Sequence, residues 1–300
     1  MKKKLYGIIP PLVTPLKDND HLDIDGLERL IEHVIEGGVH GIFILGTTGE
    51  AQSISMKLRE EMIERTSEIL KNRVPLLVGI SDTSISDSAA LAQKAYEAGA
   101  YAVVAAPPYY FATGQPELAE YYEELLKLLP LPLFLYNMPV HTKVSFEPKT
   151  IKRIAENKKV IGFKDSSANG TYLQAVMYTM KENPDFMFFV GPEEMTAEMI
   201  LLGADGGVNG GANLFPKLYV DLYNAAQSKD LEQVRTLQQK VMQISTTIYS
   251  NGKYGSSYLK GLKCALSVAG ICDDFLAMPF SRFDEEHRAK IKEAMNNLNF

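Results

Sequence analysis

The sequence predicts an α/β protein, a (β/α)8 barrel of the TIM type followed by a C-terminal helical extension. Short apolar runs alternate with amphipathic helical patterns almost from end to end, and eight such runs occur. Successive runs lie roughly 20 to 35 residues apart, which is the length of one unit of strand and helix. Eight such units in sequence close most naturally into a barrel.

The predicted strands are apolar without a break, as expected where both faces of a parallel sheet are covered. They are residues 7–12, 41–45, 76–80, 102–106, 131–136, 160–164, 186–190 and 205–208. An open, doubly wound sheet is the structural alternative. That fold would need a switch in strand order and usually a GxGxxG segment after the first strand, and neither is visible in the sequence.

The helices between the strands are marked by apolar stripes and by the residues at their ends. In the first helix, apolar positions recur three and four residues apart, at Leu27, Leu30, Ile31, Val34 and Ile35. Glycine is typical of helix ends and proline of first helical turns, which accounts for Gly37, Gly38, Gly99, Pro148 and Pro216.

The last part of the chain is helical in pattern throughout. Its apolar stripes are Val234, Leu237, Val241, Ile244 and Ile248, and then Leu259, Leu262, Leu266 and Ala269. We therefore expect a barrel at 1–228 and a helical extension at 229–300. No linker rich in Gly, Ser or Pro separates the two parts, so we expect the extension to pack on the barrel.

The composition is that of a globular protein, with 46% hydrophobic and 23% charged residues. A net charge of −6 argues against nucleic acid or an anionic membrane as a partner. Because no signal-peptide pattern or long apolar stretch occurs, we expect a soluble cytoplasmic protein. Cys264 and Cys272 have no cluster of ligands around them, so we expect core cysteines of a reducing compartment and no metal site.

Lys164 ends the sixth predicted strand, at the barrel end where active sites lie. Burying a charged amine is unfavourable, so one interpretation is that Lys164 extends to solvent or pairs with Asp165. The other interpretation is that its amine is desolvated, has a lowered pKa and attacks a carbonyl to form a Schiff base.

The segment Gly-Thr-Thr-Gly-Glu at 46–50 follows the second predicted strand. It is either a capped turn before a helix that begins near Ser55, or a loop whose N–H groups and hydroxyls bind an anion. The segment lacks the lysine and the spacing of a P-loop, so a small carboxylate fits better than a nucleotide.

Tyrosines lie where the fourth and fifth predicted strands end. Tyr136, in Tyr-Asn-Met-Pro at 136–139, is either a core residue with a satisfied hydroxyl or a proton shuttle for a carbinolamine. Tyr110 lies in Pro-Pro-Tyr-Tyr at 107–110, where an aromatic wall at the rim is the simpler interpretation.

Together these segments closely resemble the dihydrodipicolinate synthase / N-acetylneuraminate lyase family of class I, Schiff-base aldolases. The resemblance covers essentially the whole chain and depends on five segments in the right order. They are Pro-Leu-Val-Thr-Pro at 11–15, Gly-Thr-Thr-Gly-Glu at 46–50, Tyr-Asn-Met-Pro at 136–139, Gly-Phe-Lys-Asp-Ser at 162–166 and Gly-Ala-Asp-Gly-Gly at 203–207.

The resemblance implies roles for individual residues. Lys164 matches the lysine that condenses with the ketone of pyruvate or another 2-oxo acid. Tyr136 matches the tyrosine that relays protons, and Thr47 and Thr48 match the pair that holds the pyruvoyl carboxylate. The mechanism implied in this way needs no metal or organic cofactor, because the protonated imine is the electron sink.

Two further positions are implied by the same resemblance. Tyr110 matches a tyrosine that, in the synthase branch, crosses a subunit interface and completes a proton relay of Thr47, Tyr136 and Tyr110. Val208 falls where the family places a backbone carbonyl near the substrate.

The residues that would select the second substrate depart from both branches of this family. The synthase branch has an arginine for the second substrate's carboxylate where this chain has His141, which lacks the bidentate guanidinium and is either a ligand or a loop residue. Glu193 and Glu194 match the acidic pair with which sialate lyases contact hydroxyls, or they are favourable charges at a helix start. Gly210 stands where the lyases commonly have serine.

We therefore expect a pyruvate-dependent Schiff-base lyase or aldolase. The preferred reaction is reversible aldol cleavage of a 2-keto-3-deoxy sugar acid, sialic acids included, to pyruvate and an aldehyde. The alternative is 4-hydroxy-tetrahydrodipicolinate synthase, which condenses pyruvate with aspartate semialdehyde, and a related dehydratase or hydroxy-oxo-acid aldolase stays open. A non-catalytic 2-oxo-acid-binding paralogue is the alternative of another class.

The resemblance implies a homo-oligomer, either a tetramer or a dimer of the same tight pair.

Overall fold

Eight parallel strands form the wall of a barrel in the computed structural model, which describes residues 4–298. They are β1 (Gly7–Ile8), β2 (Ile42–Ile44), β3 (Leu76–Gly79), β4 (Ala102–Ala105), β5 (Leu133–Asn137), β6 (Val160–Asp165), β7 (Met187–Val190) and β8 (Gly206–Gly207). Neighbours pair in parallel from β2 to β8, and β8 pairs with β1. A bridge between Pro11 and Phe43 joins the first run to β2. The predicted fold class is confirmed.

The first and last strands of the barrel are much shorter than their apolar runs. The first run is in register with β8 only at Gly7 and Ile8, where the N–H groups of Gly7 and Ile9 donate to the Asp205 and Gly207 carbonyls. Pro10 and Pro11 have no N–H to donate, and beyond this point the run joins β2 through the isolated bridge. In β8 the backbones approach closely, because a Cβ on Gly206 would lie 1.9 Å from the Gly7 carbonyl oxygen. Glycine is therefore required at this point of closure.

Helices cover the outside of the barrel and continue beyond it. They are α1 (Ile24–Glu36), α2 (Met56–Leu70), α3 (Ile85–Glu97), α4 (Gln115–Leu128), α5 (Pro139–Thr142), α6 (Pro148–Ile154), α7 (Gly170–Thr179), α8 (Thr196–Leu201), α9 (Pro216–Ser228), α10 (Leu231–Ile244), α11 (Ser257–Val268) and α12 (Glu285–Asn297). The prolines predicted for first turns do begin α6 and α9. None of the helices in residues 4–298 is both long enough and apolar enough to span a membrane.

The ends of these helices follow local capping chemistry. Asp23 accepts a hydrogen bond from the Gly26 backbone N–H, 3.1 Å away, at the start of α1. Ser55 caps α2 in the same way, with Leu58 as donor. A short antiparallel hairpin of Leu16–Asp18 and His21–Leu22, which the sequence did not predict, precedes α1.

Two apolar cores hold the layers together. One lies between the strands and the helices and includes the predicted stripe of α1, of which Leu27, Leu30, Ile31 and Val34 are fully buried. The other fills the barrel with side chains such as Phe43, Phe134 and Phe189. Tyr136 and Val208 belong to this second core, so the candidate site is built on its packed interior.

Candidate active site

The carboxyl ends of the strands surround a cavity of about 610 Å³. Strand ends contribute Phe43, Gly79 and Tyr136 to its wall, and the loop at 46–50 contributes Thr47. The segment after α10 also reaches the cavity, through Tyr254, Tyr258 and Phe280. The site is thus completed by the C-terminal extension, a contribution that the apolar pattern of that region does not show.

Lys164 is buried on β6, with only 6% of its surface exposed, and its Nζ packs against two aromatic rings. Nζ lies 4.0 Å from the centroid of the Tyr136 ring and 5.0 Å from that of Phe43. Burial lowers the pKa of the Lys164 amine, and this effect outweighs the opposing influence of Tyr136 and Asp165. A desolvated amine beside the cavity is the chemistry that nucleophilic attack on a carbonyl requires.

Asp165 follows Lys164 directly, but the two side chains do not pair. Successive residues of a strand point to opposite faces, so Asp165 turns away from the barrel interior. Its carboxylate accepts hydrogen bonds from Asn137 Nδ2 at 2.8 Å and from Ser167 Oγ at 2.8 Å. The interpretation of Lys164 as half of a simple ion pair with its neighbour is therefore not supported.

Tyr136 lies opposite Lys164 on the neighbouring strand, in register with it. Its hydroxyl is 3.3 Å from Thr47 Oγ1, a distance at which either oxygen can donate. Lys164, Tyr136 and Thr47, which come from three different strand ends, are thus brought together by the structure. The arrangement places a hydroxyl pair beside a buried amine, as proton transfer during imine formation requires.

The loop at 46–50 is held in an unusual backbone conformation. Leu45 and Glu50 both have positive φ, at 58° and 56°. Its turn is closed by hydrogen bonds from Gly49 and Ala51 to the Gly46 carbonyl. Within residues 4–298, the backbone N–H groups of Thr47 and Thr48 have no acceptor, which leaves two donors for an anion.

Glu50 anchors this loop to the extension. Its carboxylate accepts from Lys263 Nζ at 2.5 Å and from the Ala277 N–H at 2.8 Å. Both charged side chains are almost fully buried, so the ion pair compensates for the hydration that the two groups lose on folding. Glu50 ends the quoted motif, but nothing in the sequence points to Lys263, which lies 213 residues away.

Thr48 makes a second connection to the extension. Its Oγ1 lies 3.2 Å from the hydroxyl of Tyr258, a residue that lines the cavity. Thr48 itself is buried, whereas Thr47 faces the cavity. The two threonines therefore have different surroundings.

His141 lies in α5 at the cavity, where an arginine would be expected in the synthase branch. Desolvation lowers the pKa of its imidazole, which favours the neutral form of the ring. Apart from Lys164 beside its aromatic wall, no lysine or arginine within the described chain lines the cavity. The wall instead offers neutral polar groups such as Ser81, Tyr109 and Thr142.

Glu193 and Glu194 do not reach the cavity wall. Glu193 is buried in a 3₁₀ turn, where its carboxylate accepts from Tyr219 Oη at 2.5 Å, Tyr249 Oη at 3.0 Å and the Gly211 N–H at 2.9 Å. Burial raises its pKa to about 7 against the effect of these donors. The exposed Glu194 accepts from Ser245 Oγ. The structure gives both carboxylates protein partners rather than a place beside the substrate cavity.

Two other predicted positions lie apart from the Lys164 cluster. Tyr110 is 73% exposed and packs edge-on against Phe111, which is 77% exposed, outside the cavity of its own chain. Val208 is buried directly after β8, and its N–H donates to the Val190 carbonyl oxygen at 2.8 Å. Within one chain, neither residue belongs to the cluster of Lys164, Tyr136 and Thr47.

Known proteins are similar to this chain over nearly its full length. The model of the Dihydrodipicolinate synthetase family matches residues 4–298. A relative named "Probable 2-dehydro-3-deoxy-D-pentonate aldolase YjhH", from Escherichia coli K12, is 31% identical over 292 residues, which are 96% of each chain.

Solved structures show the same similarity. A dihydrodipicolinate synthase from the commensal bacterium Bacteroides thetaiotaomicron is 67% identical, has a TM-score of 0.97 and matches over 99% of this chain and 100% of that chain. YagE, a prophage protein of the dihydrodipicolinic acid synthase family from E. coli K12, was solved in complex with pyruvate. It is 28% identical, with a TM-score of 0.93 and 99% of each chain covered.

Proposed function

The chain belongs to the dihydrodipicolinate synthetase family of lyases, and on this premise we propose that it forms a Schiff base between Lys164 and pyruvate or another 2-oxo acid. The observation that carries the proposal is the buried Lys164 amine, with its lowered pKa, against the Tyr136 ring. The complex of YagE with pyruvate supports the same choice of substrate.

The proposed reaction begins with attack of the neutral Lys164 amine on the ketone carbon of the 2-oxo acid. Tyr136, hydrogen-bonded to Thr47, gives a proton to the carbinolamine hydroxyl, which leaves as water and yields the imine. In the cleavage direction, the Tyr136 oxygen, left without its proton by the first step, takes the proton of the C4 hydroxyl, the C3–C4 bond breaks, and its electron pair moves into an enamine. The aldehyde departs, the enamine takes a proton at C3, and hydrolysis releases pyruvate.

We propose a 2-keto-3-deoxy sugar acid as the substrate that is cleaved. The cavity wall carries hydroxyl and amide groups, among them Gln52, Ser53 and Ser81, but no cation of the described residues. The Lys164 amine packs against the aromatic part of this wall. Neutral hydrogen-bonding groups match the hydroxyls of a sugar chain. A second carboxylate would need a fixed cation, which His141 does not supply. The aldolase named for YjhH supports this substrate class.

Synthase activity with aspartate semialdehyde is the second candidate. It is supported by one specific observation, the 67% identity to the synthase structure from B. thetaiotaomicron. The two candidates share Lys164, Tyr136 and the loop at 46–50, so they differ only in the aldehyde that enters the polar part of the cavity.

Two further proposals concern the assembly of the protein and its location in the cell. We propose a homo-oligomer, supported by the exposed pair Tyr110 and Phe111, which forms an apolar edge that a second copy would cover. We also propose a cytoplasmic location, which the two free cysteines, Cys264 and Cys272, support.

Trapping the Schiff base tests the chemistry. Wild-type protein incubated with pyruvate and borohydride should gain one covalent adduct per chain, located by peptide mass spectrometry on Lys164. Lys164→Met should abolish the adduct. Lys159→Met is the matched control, because Lys159 directly precedes the same strand, at the end opposite Lys164, and donates to the Leu126 and Leu129 carbonyls. An adduct on another lysine would refute the assignment.

A substrate screen then separates the candidates. Pyruvate release from a panel of 2-keto-3-deoxy sugar acids and sialic acid is compared with condensation of pyruvate and aspartate semialdehyde by the same preparation. Faster turnover of a sugar acid supports the proposal. Efficient condensation with no cleavage of any sugar acid would establish the synthase instead.

A further inference from the structure

Tyr258 is a tyrosine of the C-terminal extension whose hydroxyl reaches the loop at 46–50. It lies on α11, lines the cavity, and places its hydroxyl 3.2 Å from Thr48 Oγ1. Burial raises the pKa of this phenol, so the hydroxyl keeps its proton and acts as a neutral donor.

The backbone around this hydroxyl is shaped to receive it. A Cβ added at Gly210 would lie 1.7 Å from the Tyr258 oxygen, so the hydroxyl occupies the space that a side chain at 210 would take. Tyr258 therefore stands between the turn that follows β8 and the loop at 46–50. The ring is fixed from the other side by edge-on contact with Tyr249, at 4.8 Å between centroids.

The carboxylate of a 2-oxo acid must be held here by neutral donors. No cationic side chain of the described residues lines the cavity, and the Lys164 amine, which packs against the Tyr136 and Phe43 rings of its wall, attacks the ketone in the proposed reaction. The unused N–H groups of Thr47 and Thr48 are two such donors. Their loop is the one that the Tyr258 hydroxyl contacts.

We propose that Tyr258 is a substrate-binding residue whose hydroxyl donates to the carboxylate of the 2-oxo acid. Thr48 is buried, and its Oγ1 lies 3.2 Å from the Tyr258 oxygen, a contact in which either hydroxyl can donate. With Thr48 as the donor, the phenolic O–H stays available for the anion. Hydrogen bonds to charged groups are stronger than neutral ones, so loss of this donor should be measurable. The inference depends on the proposed Schiff-base function and adds a carboxylate ligand to it.

The test measures borohydride trapping on Lys164 as a function of pyruvate concentration. In Tyr258→Phe, the half-saturating pyruvate concentration should rise about 10- to 100-fold, the range expected for one hydrogen bond to a charged group. Acetone has the ketone without the carboxylate, so its rate of trapping should be unchanged by the same substitution. Gly210→Ala, which displaces the hydroxyl, should reproduce the loss for pyruvate.

Tyr249→Phe is the matched control, since it removes a neighbouring tyrosine hydroxyl that bonds to Glu193 and not to the loop. It should leave the half-saturating pyruvate concentration unchanged. Normal trapping in wild type with an unchanged value in Tyr258→Phe would overturn the inference and leave the proposed function intact. An equal loss for acetone and pyruvate, or an equal effect of Tyr249→Phe, would assign Tyr258 to packing. Absence of any adduct in wild type would refute the proposed function first.

Discussion

Tyr136 and Lys164 occupy paired positions on neighbouring parallel strands, and the Lys164 Nζ lies 4.0 Å from the centroid of the Tyr136 ring. The register of two strands, rather than a flexible loop, thus sets the distance between the candidate nucleophile and its proton donor. Such positioning favours catalysis because little rearrangement is needed at the moment of reaction.

Tyr136→Phe should leave the fold intact and slow both imine formation and turnover, by roughly 10²- to 10⁴-fold, because a positioned acid–base group is removed. The ring stays in place against Lys164, so burial of the amine is retained. Stopped-flow kinetics of imine formation measure the effect, with circular dichroism as the check on folding. Unchanged kinetics in a folded variant would show that the hydroxyl is only structural.

The lowered pKa of Lys164 predicts a pH profile for imine formation. An amine attacks only when neutral, and a pKa below 10.5 leaves more neutral amine at pH 7 than an exposed lysine has. The rate should therefore fall as the pH drops through this lowered pKa and level off above it. Trapping rates measured across a pH series give the apparent pKa, and a profile that breaks at the ordinary lysine value would contradict desolvation.

His141→Arg should improve condensation of pyruvate with aspartate semialdehyde relative to wild type, because arginine adds a permanent charge and a bidentate donor at the cavity. Wild type should perform this reaction poorly. A coupled condensation assay on both proteins decides the point. If wild type already condenses efficiently and the substitution adds nothing, the cavity does not need a cation and the sugar-acid preference fails.

Lys263→Met should destabilise the protein by about 3 to 5 kcal/mol, since it leaves the Glu50 carboxylate buried without its partner. Adding Glu50→Gln in the same chain should recover part of this loss, because the amide oxygen still accepts from the Ala277 N–H. Urea unfolding measures both variants. Lys217→Met, which breaks an exposed pair with Asp221, is the control and should cost less than about 1 kcal/mol.

Glu193→Gln should change how stability depends on pH. Burial raises the pKa of its carboxyl from the ordinary 4.5 to about 7 in the folded state. At a pH between these two values, the folded state holds a proton that the unfolded chain has lost. The native state binds more protons in that window, and the free energy of unfolding therefore falls as the pH rises through it. Glutamine does not titrate, so the variant should show a smaller fall.

Urea unfolding at pH 5 and pH 7.5 measures this difference between wild type and Glu193→Gln. Glu194→Gln, which changes the exposed neighbour, should follow wild type. Parallel pH dependence in wild type and Glu193→Gln would show that the buried carboxyl does not hold a proton in this range.

The barrel and the centre of the site could be predicted because both follow from local sequence. Apolar runs mark the strands, and the carboxyl ends of parallel strands share one edge, which predicts that Lys164, Tyr136 and Thr47 meet, as they do. The direction of a side chain beyond a strand end does not follow from local sequence. Glu193 does follow β7, but its carboxylate points away from the cavity, because it accepts hydrogen bonds from a backbone N–H and from buried tyrosine hydroxyls.

The part that the sequence could not predict depends on contacts between distant segments. Tyr258 lies 210 residues from Thr48, and the sequence pattern around Tyr258 predicts only an amphipathic helix. No spacing rule connects a loop after the second strand with helix α11. Likewise the exposed position of Tyr110 depends on how the chain leaves β4, which an apolar pattern does not describe.

The ion pair of Glu50 and Lys263 also has a consequence for the order of events on the ribosome. Glu50 emerges 213 residues before Lys263, which at about 5 to 20 residues per second is a delay of roughly 10 to 40 seconds. During that interval its carboxylate must stay hydrated, so the loop at 46–50 cannot take its final position. A nascent chain that has already made all eight strands is therefore still without a finished binding site.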